Sequence, residues 1–477
     1  MRNALLLLVL CPCSFALLAA ESTVHYAVRY PDAAAGRVEV RLRVEGLAGG
    51  RQWFVMPRSI PMGYGEQPFD RFVSVLSAVS GDGVELPVKR ADGPRWEVGR
   101  AGAVVNTVRY VVDVRAMERE ILAASDTSKA RPGYLGLLGY SVLGYLEGSE
   151  QLPVRLRVEG PAGWPVFSTL APSVSPGNRV EARAGGFYQV ADSQIAMGPG
   201  LVIRRAGGSV PLFLAVYDEA GSIGPVLDRL GLETAAAMAA LVDYLGPAPF
   251  PHYTVHLEIL KPVSERHSYG FSMEHMDSGT FFLGVDMALS AKTGEGLWLQ
   301  HRYNFTHHMA HSWIPKRSYP AGYFPHSWEL APVLDTIWLS EGWAQYAAMA
   351  ALAESLPAGQ RDAFVQERLE RFRGGLRDAP PFLKRMTLAE LSRVASTRYA
   401  SDFRTGRTTF SRGGMMAYEM DEWIRKRSGG KKSFRDGLRS LMGKRGYDVE
   451  ELPGLFLEAT GVDVRAVMDR WLGPVVE

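Results

Sequence analysis

His307-His308-Met309-Ala310-His311, followed at some distance by Trp338-Leu339-Ser340-Glu341-Gly342-Trp343, is the part of the chain from which the rest can be read. The run from about Trp298 to Ser312 reads as a helix with histidines on one face. His307 and His311 are four apart, which places both imidazoles on the same side, one turn apart. Two neutral imidazoles so placed can bind one Zn2+ ion. Glu341 falls near the start of the next predicted helix, Thr336 to Leu356, and its carboxylate would complete a His2Glu donor set. The HxxxH pair alone is weak in a chain with 10 histidines; the surrounding sequence gives it weight.

Upstream of this centre, residues from about 22 to 200 read as β-rich. Alternating runs such as Val38-Glu39-Val40-Arg41-Leu42-Arg43-Val44 and Val154-Arg155-Leu156-Arg157-Val158 are separated by turn clusters such as Ser80-Gly81-Asp82-Gly83. This period-two pattern predicts antiparallel sheets in a sandwich. After about residue 220 the pattern mixes. Thr234 to Tyr244 reads as a helix, Tyr253 to Leu260 and Thr280 to Val285 as strands. From about 360 the chain is mostly helical, with strong formers from Met415 to Arg427. The expected class is α+β multidomain: a β domain over 21–205, a central domain over 206–357 and a helical domain over 358–477.

The 477 residues suggest two or three domains. Hydrophobic residues make up 47% and charged residues 22%, a globular balance, and a net charge of +2 leaves no overall footprint for nucleic acid. Residues 1–20 have the pattern of a signal peptide: Arg2, an apolar run from Ala4 to Leu10, then Ala19-Ala20 before polar Glu21. A membrane anchor fits less well, because the run is short and Pro12 interrupts it. Export is therefore expected, to the periplasm or exterior if the source is bacterial. Both cysteines, Cys11 and Cys13, lie in this segment, so a metal site in the mature chain must use His, Asp or Glu. No later stretch is apolar enough to span a bilayer.

Taken together, these stretches resemble the glycyl aminopeptidase family of gluzincin zinc metallopeptidases. The family has HExxH followed by xWxxKRxxP; here the run is His307-His308-Met309-Ala310-His311-Ser312-Trp313-Ile314-Pro315-Lys316-Arg317-Ser318-Tyr319-Pro320. Its third ligand lies in a W-x-S-E-G segment, matched by Trp338 to Gly342. Its G-x-E-H substrate loop is similar to Ser272-Met273-Glu274-His275. Softer matches fall in the β region, at Pro61-Met62-Gly63-Tyr64 and Tyr188 to Ile195. The resemblance implies a thermolysin-like central domain, one zinc ion on His307, His311 and Glu341, and peptides with a free N-terminus as partners. Glu274 would pair with the α-amine through a charge-assisted bond, and Gly270 would permit the backbone turn before it. Gly279-Thr280-Phe281-Phe282-Leu283 is expected as the edge strand along which an extended peptide lies. The PDZ domain that often follows in this family is not expected.

Two positions depart from the family. The Glu of HExxH accepts a proton from the attacking water and passes it to the leaving amine; here that position is His308. The Tyr of Y-x-K-G stabilises the oxyanion; the matching run is Phe410-Ser411-Arg412-Gly413, and Phe410 cannot donate. A positioned base contributes roughly 10²- to 10⁴-fold and an oxyanion donor about 10²- to 10³-fold. Three readings of His308 stay open: it replaces the base, it binds zinc as a fourth ligand in a closed structural site, or it is a hydrogen-bonding neighbour of a silent metal. Tyr399 is a weak substitute for the missing hydroxyl. Trp313, Trp328, Trp338 and Trp343 could line a pocket or the core; Trp338 and Trp343 are expected in the core, with Trp313 open between the two. Lys316 and Arg317 are expected as a solvated basic pair, His326 in a surface loop, and Asp335 is a candidate partner for a zinc histidine. The function expected is a zinc metallopeptidase-family protein that engages peptide N-termini with impaired hydrolysis. The alternatives are an active aminopeptidase with His308 as base, and a structural zinc protein.

Overall fold

A computed structural model describes residues 22–45, 52–123, 126–399 and 401–474. The leader-like segment, with Cys11 and Cys13, lies outside the described residues. The strand Arg37–Val44 alternates exposed and buried at every position, as its sequence predicts. It belongs to a seven-stranded sheet with the spatial order Arg179–Ala184, Val154–Glu159, Val24–Arg29, Arg37–Val44, Val105–Asp113, Val73–Ser80 and Glu85–Leu86. Neighbours in this sheet run antiparallel except at one place: Val24–Arg29 lies parallel to Val154–Glu159. A parallel pair needs a long connection, and these strands are joined through most of the β region.

The inner face of the large sheet packs against two four-stranded sheets. Val40, Leu42 and Val112 of the large sheet share one buried cluster with Phe54 and Val98 of one small sheet and Leu137 and Ile195 of the other. Each such side chain contributes roughly 1.5–3 kcal/mol by leaving water. The expected sandwich is thus present.

The central sheet is mixed. Its strands are β1 (Val202–Ala206), β2 (Leu212–Asp218), β3 (Tyr253–Leu260), β4 (Phe271–Glu274) and β5 (Ser278–Gly284), in the order β1-β2-β3-β5-β4. All eight residues of β3 are buried, because both of its faces are covered. Val255, Leu257 and Ile259 join the core beneath helices α1 (Leu227–Leu245) and α2 (Glu295–Ala310). His256 and Glu258 face the β region, where the Tyr134 hydroxyl lies 2.7 Å from His256 Nε2 and donates to Glu258 Oε1 at 2.5 Å. The Tyr134 hydroxyl thus gives both buried side chains a polar neighbour.

One expectation is corrected. The strand containing Gly279 to Leu283 is β5, which is paired on both sides, parallel to β3 and antiparallel to β4. The edge strand is β4. Period-two patterning reports burial of faces and carries no signal for which strand is last in a sheet.

A six-residue π-helical turn, Trp338–Trp343, runs directly into α3 (Ala344–Ser355). Helices α4 (Ala358–Arg377), α5 (Leu388–Arg398) and α6 (Phe403–Arg427) follow. A capping box starts α5: Thr387 Oγ1 accepts from the Glu390 amide, and Glu390 Oε2 accepts from the Thr387 amide. Leu241, Met309, Trp343, Leu369, Met416 and Met468 lie in a single buried cluster, so the central and C-terminal parts share one core.

Two glycines bring the π turn against α6. A Cβ on Gly413 would stand 2.0 Å from the Trp338 carbonyl oxygen, and a Cβ on Gly342 would stand 2.5 Å from Gly413 Cα. Only glycine permits backbones this close. The contact fixes the height of residues 338–343 over the sheet, and with it the position of Glu341.

Candidate metal centre

The last turn of α2 carries His307 and His308, and His311 follows directly as its C-terminal cap. The four-residue spacing brings His307 Nε2 to 3.3 Å from His311 Nε2. Glu341, delivered by the π turn, places Oε2 at 3.5 Å from His307 Nε2 and 3.7 Å from His311 Nε2. π turns inside helices recur at functional sites because they re-aim one side chain without breaking the helix.

These separations suit a shared cation. Two donors each 2.0–2.1 Å from a tetrahedral zinc lie about 3.3 Å apart. Nδ1 of His311 is 3.0 Å from the Ile314 carbonyl oxygen, so it carries the proton and leaves the Nε2 lone pair facing inward. Burial pushes His307 and His311 down to about 4, so both imidazoles are neutral at pH 7 and can donate to a metal. Burial raises the Glu341 carboxyl; His311 opposes this, Glu274 adds to it, and His308 and the Tyr64 hydroxyl oppose it again. A divalent cation at the point the three share would offset the cost of burying that charge. Glu274, His311 and Glu341 also cluster, as do His307, His308 and His311, with donor atoms within 4.8 Å of one another.

His308 lies beside this point and also contacts β4. Its Nδ1 lies 3.4 Å from Oε2 of Glu274, and its ring stands edge-on to Phe281 with centroids 5.4 Å apart. Burial pulls its pKa down, with the Glu274 contact pulling the other way. Glu274 is buried at the end of β4. Gly270, just before that strand, has φ +139, a conformation that disfavours other residues.

Phe410, on α6, packs in a buried cluster with Tyr64, Tyr323, Leu334 and Ile337. Its ring lies 5.8 Å from that of Tyr399, which is itself 5.9 Å from Tyr64. The α6 position thus presents an aromatic face with no hydroxyl.

The sequence points to no role for Tyr323, and to Tyr64 only as part of a soft family match. Ser340, the residue before Glu341, accepts from the Tyr323 hydroxyl at 2.8 Å and lies 2.9 Å from the Tyr64 hydroxyl, while donating to the Ile337 carbonyl. These bonds brace the π turn from two distant segments. The Pro61-Met62-Gly63-Tyr64 motif was the available signal, but only its three-dimensional placement gives it a role.

Four side-chain expectations change. Lys316 is buried, and its Nζ donates to the Pro61 carbonyl at 2.7 Å beside Asp192 at 3.4 Å. Arg317 donates to the Met276 and Ser312 carbonyls and pairs with Asp277. Neither is solvated: the pair clamps the Glu274 loop to the β region, aided by Asp192, which accepts from the Met276 amide at 2.7 Å and faces His275 Nδ1 at 3.1 Å. His326 is half-buried between Tyr188 and Trp328. Asp335 faces Arg393 at 3.5 Å, and the role expected of it is filled for His311 by the Ile314 carbonyl. Trp338 and Trp343 are core residues, and Trp313 joins them, edge-on to Phe250 at 5.0 Å. Trp328 is buried against Phe187, 4.7 Å away.

The mixed sheet with an antiparallel edge carries the HxxxH helix and the following glutamate as a His2Glu donor set suited to zinc. Residues 25–199 match the Peptidase M61 N-terminal domain. Among solved structures, the chain is similar to an aminopeptidase N family protein from Idiomarina loihiensis, with 19% identity, a TM-score of 0.80, and 95% of this chain and 76% of that chain covered. It is similar to an M1 zinc metallopeptidase from Deinococcus radiodurans at 18% identity and a TM-score of 0.56, covering 96% and 94% of the two chains. Yeast LTA4 hydrolase shares the fold at 12% identity and a TM-score of 0.56, covering 95% and 68%. These likenesses are of fold. No curated protein matches the chain. No helix among the described residues is long and apolar enough to cross a membrane.

Proposed function

We propose that this chain is an exported member of the zinc aminopeptidase group that binds peptides by their free N-terminus and hydrolyses them poorly by the standard route. One observation carries the reading: an intact His307–His311–Glu341 donor set lies beside a His308 that faces Glu274. Bound zinc would polarise a substrate carbonyl and acidify water. The residues around it would do the rest. His311, oriented by Ile314, and His307 would hold the metal with Glu341. Glu274 offers a carboxylate to an α-ammonium group, and strand β4 offers an open edge for the peptide backbone. A Deinococcus M1 metallopeptidase variant of the same fold has been crystallised with Tyr-Ser-Ala, which supports a peptide as ligand here. The leader-like residues 1–20 support export.

What is lacking is a carboxylate base and an oxyanion hydroxyl. His308 carries no negative charge, and Phe410 has nothing to donate. The reading is tested by calorimetry with zinc-loaded protein and the tetrapeptide Gly-Ala-Ala-Ala, free and N-acetylated. Binding of the free peptide only, lost in Glu274→Gln, is expected. Equal binding of both forms would sink it.

A second reading has one observation in its favour. The Glu274 carboxylate against Nδ1 of His308 resembles the carboxylate that orients a general-base histidine. In that case zinc-loaded wild type hydrolyses glycyl or alanyl anilides, and His308→Ala abolishes the turnover.

A further inference from the structure

The outer face of the seven-stranded sheet carries a groove of about 580 Å³, far from neutral in charge. Arg41, Arg43, Arg155, Arg157 and Arg183 line it, against a single acid, Glu181. The whole chain has 53 basic and 51 acidic residues, so this face departs from its overall balance. The register sets arginines against one another, Arg183 opposite Arg155 and Arg41 opposite Arg109, with His25 between Arg155 and Arg43. Like charges directly opposite each other destabilise a sheet. Arg43 and Arg157 are offset by Glu45 at 3.0 Å and Glu159 at 3.5 Å, and Glu181 is engaged by Arg179 at 3.6 Å. Arg41, Arg109, Arg155 and Arg183 are exposed and have no carboxylate partner among the described residues.

We infer that this groove docks a carboxylate-rich, extended polypeptide segment. The groove is lined by five arginines and no lysine, and the planar fork of arginine matches carboxylate geometry bidentately. Arg41 and Arg43, and likewise Arg155 and Arg157, are two residues apart on their strands, hence about 6.7 Å apart. Alternate side chains of an extended acidic peptide have the same repeat. Ala27, Leu170 and Ala171 give the groove a small apolar lining that suits a peptide stem. The side chain of Tyr26 is buried on the other face, which leaves the His25 imidazole as the one ring of the lining, where single-stranded nucleic acid stacks successive bases on several. The surface is walled by residues 170–171, which a flat bilayer would not need.

The test is fluorescence anisotropy with the full chain and a labelled octaglutamate peptide at low salt, beside an oligouronate and an octathymidylate. Octaglutamate is expected to bind more tightly than either, and at least tenfold more weakly to Arg41→Ser/Arg155→Ser/Arg183→Ser. Arg373→Ser, on α4, serves as control and should match wild type. Thermal melting of the triple variant is measured in parallel, and it should be as stable as wild type or more so, since like charges are removed. Absent binding, binding unchanged in the triple variant, or equal or tighter binding of the oligouronate or octathymidylate would overturn the inference.

Discussion

Nδ1 of His308 lies 3.4 Å from Oε2 of Glu274, so the residue at the general-base position contacts the residue expected to hold the substrate amine. The resemblance assigns these two roles to two different residues. Here they are joined in one buried pair. Replacing His308 by Glu would restore a carboxylate base and, through repulsion, release Glu274 from that contact.

Zinc-loaded His308→Glu is therefore expected to hydrolyse glycyl and alanyl anilides faster than wild type by roughly 10²-fold or more. Adding Phe410→Tyr should raise the rate by about another 10²-fold. Steady-state assays check this. If the double variant binds zinc yet gains no turnover, the two positions are not what disarms the site.

Purified protein dialysed against zinc is expected to retain one ion per chain, measured by mass spectrometry of the metal. His307→Ala and Glu341→Ala should each weaken binding by more than about 100-fold, beyond what loss of an outer-sphere partner does. Unaltered zinc content in both variants would remove the proposed donor set.

Gly413→Ala should destabilise the fold by about 3 kcal/mol or more, because the new methyl meets the Trp338 carbonyl, which cannot rotate away. Zinc affinity should fall with it, since the π turn that carries Glu341 must shift. Denaturant melts and metal titration report the two effects. A variant as stable as wild type would mean that α6 and the π turn are not in the contact described.

Asp70 gives a pH dependence away from the metal. It is buried, which opposes ionisation, but Arg58 at 2.7 Å and Arg90 hold its carboxyl below the usual range. Its folded pKa is depressed, so its stabilisation is fully present above the unfolded value of about 3.9 and fades as pH falls through the folded value. Asp70→Asn should cost about 3 kcal/mol at pH 7, and the gap to wild type should close in acid. Urea melts at pH 7 and below pH 3.9 decide it; a constant gap would mean that the ion pairs contribute nothing.

Local pattern carried much of the architecture. Alternation in Arg37–Val44 predicts its strand, and the Tyr253–Leu260 strand matches its expected limits. The helix holding His307 and His311 follows from spacing, because a 3.6-residue period leaves little choice of face. The edge position of β4 was not accessible in this way, since strand order depends on chain crossing and not on local burial.

The sequence by itself determined which donors exist: histidines one turn apart, a glutamate on the next helix, no cysteine after Cys13, and His308 and Phe410 where the resembled family has a base and a hydroxyl. Only the tertiary structure decided how they meet. The Gly342–Gly413 approach sets Glu341 at 3.5 Å from His307, Tyr64 and Tyr323 brace that turn through Ser340, and Lys316 is drawn inside to clamp the Glu274 loop. These are contacts between residues tens to hundreds of positions apart. Their geometry comes from packing, which residue spacing along the chain does not encode.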